Sequence, residues 1–240
     1  WVAVPVAGLV CLVVGYVFSL PVLRLSTVHL AMATFAVGVV LPTIAKWKWL
    51  EPWTGGGQGL GIDIPTVPFG LALSFDQWLY LLSLGTLVLL FVLMANLLRG
   101  RVGRAAIAIR DHPIAAQSMG IDTVFHKAAI FGLSTMLVGI AGGLSALSFR
   151  YIAPGLFNSF LSFGFLIGAA VGGLASLSGA LYGAVVLQYI FLVVGVTART
   201  LKTSSTPLVY GVVLILFLCF FPNGIAGLLQ RLGQWLRDRR

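Results

Sequence analysis

The chain has 240 residues, 59% of them hydrophobic and 9% charged, with mean hydropathy +1.04 and formal net charge +9. A soluble domain carries about a quarter of its residues as Asp, Glu, Lys and Arg, so this composition excludes a water-solvated globule and selects a polytopic membrane protein. The positive charge does not point to nucleic acid, because the basic residues stand at the ends of apolar runs, as topology signals do.

A span needs roughly 17–25 apolar residues. Reading in chain order gives seven candidates, at about 2–20, 26–45, 77–98, 128–148, 159–175, 179–197 and 206–221. The chain opens at Trp1, directly ahead of the first run, and further helices are expected upstream. The loop 46–76 begins "KWKWLEPW", where Trp47, Trp49 and Trp53 beside lysines form an interfacial belt. "TGGGQGLGIDIP" follows, and such a stretch must be solvent-exposed or cradled by protein, because lipid satisfies no irregular backbone. The fifth and sixth runs are separated only by "GLASLSG", which fits a tight hairpin or a re-entrant piece. No internal repeat or linker divides the chain, so a single transmembrane domain is expected over 1–240.

Lys and Arg placement orients the spans. Arg99, Arg101, Arg104, Arg110 and Lys127 share a side with Arg24 and the tail residues Arg231, Arg237, Arg239 and Arg240. Lys46, Lys48, Arg150, Arg199 and Lys202 fall on the other. Ten against five places the 99–127 loop in the cytoplasm.

No engine is visible. A P-loop needs Lys directly after Gly, and none of the four lysines follows one. Cys11 and Cys219 lie in apolar runs, three histidines are scattered, and neither a disulfide framework nor a metal site is expected; no cofactor is implied. His29 is the main ionisable residue within a run, near its start. An ion-coupled carrier acting alone, the alternative reading, usually needs buried carboxylates or equivalent polar ligands at midplane.

The polar inventory concentrates instead in "IRDHPIAAQSMGID", from Ile109 to Asp122. Pro113 restricts His112 toward extended geometry and favours a helix starting at Pro113. Asp111 is placed to cap or charge-stabilise the N-terminus of a short helix from Pro113 to Met119, and Gly120 suits the left-handed residue that ends it. Such a rigid, exposed element serves as a docking helix, or as an ordinary capped connection.

This segment resembles the cytoplasmic loop of the branched-chain amino acid ABC transporter permeases, the LivM-type subunit of the LivH/LivM family. Ala115, Ala116 and Gly120 match the Ala-Ala-x-x-x-Gly spacing of the importer coupling motif, with Ile114 where the familiar form has Glu. "LPVLRLSTVHLAMATFAVG", "WTGGGQGLGIDIP", "VGGLASLSGALYGA" and "YGVVLILFLCFFPNGIAGL" are similar to further family blocks, in the same order. Val39 and Arg150 depart from the family pattern. The resemblance implies an all-α permease subunit in a bacterial inner membrane. It would work with a second LivH-like permease, two cytoplasmic ABC ATPases and an extracytoplasmic solute-binding protein. It implies a coupling role for Arg110, Asp111, Pro113, Ala115, Ala116 and Gly120, within a loop that the ATPase pushes. Thr34, Gly38, Gly168, Gly172 and Gly173 are candidate path residues, the glycines serving equally for helix packing. Gly55, Gly56 and Gly57 form either a binding-protein contact or a flexible loop.

Overall fold

The computed structural model describes residues 2–22, 27–62, 74–157, 159–173, 176–200 and 211. The seventh expected run and the basic tail lie outside them, residue 211 aside, as do Arg24 and Lys202. The chain divides into two compact units, Trp1–Phe157 and Asn158–Arg240.

The first unit contains α1 (Ala3–Val22), α2 (Thr27–Ala45), α3 (Glu51–Thr54), α4 (Phe75–Arg99), α5 (Arg101–Asp111), α6 (Pro113–Ser118) and α7 (Thr123–Phe149). A two-stranded antiparallel pair joins β1 (Leu60–Gly61) to β2 (Tyr151–Ile152), with Leu60 opposite Ile152 and Gly61 opposite Tyr151. A 3-10 turn follows at Pro154–Leu156. The architecture is all-α and polytopic. Three described helices, α1, α4 and α7, are long and apolar enough to cross a bilayer, while the apolar stretches of α2, α8 and α9 are shorter. At 1.5 Å per residue, α4 reaches about 37 Å and α7 about 40 Å, beyond the ~30 Å hydrocarbon core.

The helices outrun the apolar runs that announced them because polar residues set their ends. Ser74 and Gln77 form a reciprocal capping box at the start of α4, at 3.4 and 3.1 Å. Asp122 Oδ1 accepts the Val124 and Phe125 amides at the start of α7, both at 3.0 Å. α7 therefore begins five residues before the expected 128.

α1 and α7 are antiparallel and meet through bare backbone. A Cβ on Gly139 would lie 2.7 Å from Cys11 Cβ, one on Gly132 3.2 Å from Tyr16 Cβ, and one on Gly143 3.3 Å from Val4 Cα. Thr135 Oγ1 donates across the seam to the Cys11 carbonyl at 2.9 Å. Small residues let two helices gain dispersion contact where lipid offers no hydrophobic drive. α4, by contrast, has no buried residue, as expected of a helix whose surface faces an apolar solvent.

The second unit holds α8 (Ser159–Gly172) and α9 (Leu177–Thr200), which pack against each other; "GLASLSG" lies partly outside the described residues. Ser176 Oγ accepts the Gly179 amide at 3.0 Å and caps α9. α8 has 14 residues, about 21 Å of rise, short of a perpendicular crossing.

Candidate functional site

α4 ends at Arg99, the chain bends at Gly100, and α5 begins at once. A Cβ on Gly103 would overlap the Leu98 backbone, so only glycine lets α5 turn this sharply beside the last turn of α4. Ala105 and Ile109, four residues apart, are buried, while Arg101, Arg104 and Arg110 are exposed. α5 is thus an amphipathic helix. The sequence reading had only a basic lead-in there, although the Ala105–Ile109 spacing was available to find it.

His112 separates α5 from α6, with φ −146° and ψ 86°. This is the extended geometry that Pro113 imposes on its predecessor. Asp111 does not cap α6, contrary to expectation. It is the last residue of α5 and its Oδ1 pairs with Arg110 Nε at 2.9 Å, and α6 has no side-chain cap. The adjacent guanidinium is nearer than the α6 amides and claims the carboxylate.

Gly120 takes the left-handed conformation, φ +81°. Its amide donates to the Gln117 carbonyl at 2.9 Å, and the Ile121 amide to the Ala116 carbonyl at 3.1 Å. Together these make a Schellman stop. Gln117 Nε2 donates to Thr123 Oγ1 at 2.8 Å, tying α6 to the first turn of α7. Ala116 is 4% exposed and faces inward, whereas Ile114 and Met119 are 79% and 85% exposed. Pro113 and Ala115 are exposed too. The candidate coupling residues therefore gather in one elbow, in which Ala116 holds α6 to the body and Ile114, Ala115 and Met119 form its outer face.

Gly55, Gly56 and Gly57 stand at the opposite end of the unit. Gly55 (φ +69°) closes α3, and its missing Cβ leaves room for the Gly59 carbonyl. Gly56 (φ +58°) is buried, 3.1 Å from Glu51 Cγ at its Cβ position, whereas Gly57 is exposed with open space around it. The loop is fastened rather than loose. The Tyr151 hydroxyl donates to the Gln58 carbonyl, the Ile62 amide to the Arg150 carbonyl at 2.9 Å, and Thr54 Oγ1 to the Ala45 carbonyl at 2.7 Å. Arg150, left-handed at φ 57°, lies over the Phe75 ring and donates to Asp76 Oδ1 at 2.8 Å. It thereby joins the end of α7 to the start of α4. This fastening was missed, since nothing in sequence links positions 74 residues apart.

Thr34 Oγ1 donates to the Leu30 carbonyl within α2 at 3.1 Å, and Gly38 is exposed with nothing near its Cβ position. Gly168 and Gly172 are buried between α8 and α9: a Cβ on Gly168 would meet Leu187 Cδ1 at 2.7 Å, and one on Gly172 would overlap the Gly179 backbone. Gly173 (φ +113°) ends α8, its amide donating to the Ala169 carbonyl at 3.0 Å. Their geometry is that of close helix packing. Among the described residues, no three His, Cys, Asp or Glu side chains gather as metal ligands.

Three curated relatives match across most of the chain. It is 29% identical over 250 residues to the high-affinity branched-chain amino acid transport system permease protein LivM of Salmonella typhimurium, and likewise to that of Escherichia coli. Each match covers 94% of this chain and 57% of the relative, so the chain spans little more than half of their length. It is 28% identical over 239 residues to the probable branched-chain amino acid transport permease protein LivH of Methanocaldococcus jannaschii, covering 95% of this chain and 74% of that one. No solved structure matches. Residues 1–220 match the family described as the branched-chain amino acid transport system, permease component. An all-α, multi-pass membrane chain matched over this length belongs to that permease family.

Proposed function

We propose that this chain is a membrane-spanning permease subunit of an ATP-binding-cassette importer for branched-chain amino acids or a similar small polar solute, driven by ATPase subunits in trans. The observation that carries the reading is the elbow. A short helix with an exposed apolar face, Ile114, Ala115 and Met119, is fastened to α7 through Gln117–Thr123 and through buried Ala116. Ile114 and Met119, both largely exposed on an element outside the spans, offer an apolar contact for a partner. Arg110, Asp111 and Pro113 set the entry to that helix and Gly120 its exit, so a push on α6 reaches α7 as a rigid-body movement.

The partners in this reading are two cytoplasmic ATPases at the elbow, a second LivH-like permease, and an extracytoplasmic solute-binding protein at the fastened loop carrying Gly55, Gly56 and Gly57. The chain would form a single transmembrane domain in a bacterial inner membrane. In the first unit, Thr34 and the open Gly38 on α2 are the proposed path residues; in the second, Gly168, Gly172 and Gly173 let α8 and α9 close on each other. The excess of basic residues on the elbow's side supports the cytoplasmic assignment.

Single cysteines test both the topology and the contact. A cysteine at Gln117 should resist an impermeant reagent in intact cells, and one at Gln58 should label. A cysteine at Ile114 should cross-link to the ATPase. Reversed labelling, or an Ile114 cysteine that cross-links only to lipid, would overturn the reading.

A further inference from the structure

We propose that the bend between α4 and α5 is a binding site for the phosphate headgroups of anionic phospholipids. The inference rests on α4 spanning the bilayer and does not depend on what drives transport. Arg99, Arg101 and Arg104 lie within six residues of one another, and all three are exposed. The ion pairs among the described residues are Arg110–Asp111 and Arg150–Asp76, so none engages these three. Asp76 lies at the far end of α4, and no Asp or Glu occurs from there to Asp111. Among the described residues the patch is therefore a concentrated positive charge with no carboxylate paired to it.

Its depth follows from length. α4 exceeds the hydrocarbon core by about 7 Å and ends on Arg99, whose charge holds that end at the headgroups. The Gly100 bend keeps α5 beside that turn instead of carrying it onward into water, as the approach of Gly103 to the Leu98 backbone shows. Arg104 Nη1 donates to the Arg99 carbonyl at 3.1 Å, which fixes two of the arginines to one end of α4. Exposed Leu98, Val102 and Ile107 lie among the charges, supplying the apolar contact that acyl chains seek beside a phosphate-binding guanidinium. Arginine suits this role because its planar fork meets two phosphate oxygens at once. A juxtamembrane basic cluster attracts acidic lipid in proportion to its charge.

The experiment uses the full-length permease in its assembled transporter, placed in nanodiscs of equimolar phosphatidylcholine and phosphatidylglycerol, then re-extracted for measurement of the co-purified lipid. Retained phosphatidylglycerol, relative to phosphatidylcholine, should fall on the order of fivefold for each arginine replaced by Gln. It should also fall as salt is raised. The double variant Arg99→Gln/Arg101→Gln keeps the Arg104 contact with the α4 carbonyl, so it remains informative if the triple variant with Arg104→Gln does not fold. Lysine at all three positions should restore most of the selectivity. Glycerol phosphate in solution should not displace the lipid; displacement would reveal a soluble-phosphate site and overturn the proposal. An unchanged lipid ratio in the double variant would overturn it too, as would loss of the ATPase subunits at unchanged lipid ratio, which would assign the arginines to a protein partner.

Discussion

Replacing Gly120 probes the elbow through the backbone alone. Its φ of +81° is disfavoured for any residue with a Cβ, yet nothing lies within 4 Å of where that Cβ would stand. The cost should therefore be the left-handed penalty, about 1–2 kcal/mol, without a steric addition. Gly120→Ala and Gly120→Leu should then be equally costly, and Gly120→Asn milder, because Asn tolerates that region. The loss falls on the Schellman stop, so the amides of Gly120 and Ile121, which donate to Gln117 and Ala116, should open more often. An energy of 1–2 kcal/mol corresponds to roughly 5- to 30-fold faster hydrogen exchange across residues 119–125 if they open as one unit. Exchange in α1, whose packing against the middle and far end of α7 is remote from the stop, should be unchanged. Wild-type exchange in Gly120→Ala would show that the left-handed backbone costs nothing, and a Leu variant far worse than Ala would show a steric clash instead.

Ala116 and Ile114 should separate folding from docking: Ala116→Glu forces a carboxylate into a packed site and should loosen the elbow by about 1–3 kcal/mol, whereas Ile114→Glu should leave exchange unaltered and abolish binding-protein-stimulated ATP hydrolysis. Gly57→Trp should weaken capture of the loaded binding protein in a pull-down while the loop stays folded, whereas Gly56→Trp should disrupt the loop itself, as increased proteolysis would report. Gly139→Leu should drive α1 from α7 and lower the melting temperature of the detergent-solubilised subunit, by overpacking of about 1–3 kcal/mol. Arg150→Gly should change stability by less than about 1 kcal/mol in the same melting assay, because relief of the left-handed penalty offsets an exposed ion pair.

The spans were legible because lipid imposes a period-free signal: a long apolar run is enough to place α1, α4 and α7. The short helix at Pro113 and its stop at Gly120 were legible because each depends on a residue with few conformations. What escaped depends on partners distant in sequence. Arg150 reads as a lone basic residue until the fold brings Asp76 and Phe75 to it. Asp111 reads as a cap until Arg110 claims its carboxylate. α5 was hidden because its arginines were absorbed as topology signals, although Ala105 and Ile109 mark its inner face. Ala115 and Ala116 read as one pair in the coupling motif, and only three dimensions show that Ala116 packs inward while Ala115 stays exposed.

On the proposed reading, transport through this subunit is driven by ATP hydrolysed on another polypeptide. The direct measurement is uptake of labelled leucine and, in parallel arms, other small solutes into vesicles. These carry the full-length permease and its partner permease, with a loaded binding protein outside and ATP sealed within on the ATPase side. Accumulation should require the ATPase subunits, ATP and the binding protein together, and collapsing ion gradients should leave it intact. Uptake that proceeds without the ATPase and follows an imposed proton or sodium gradient would contradict the account.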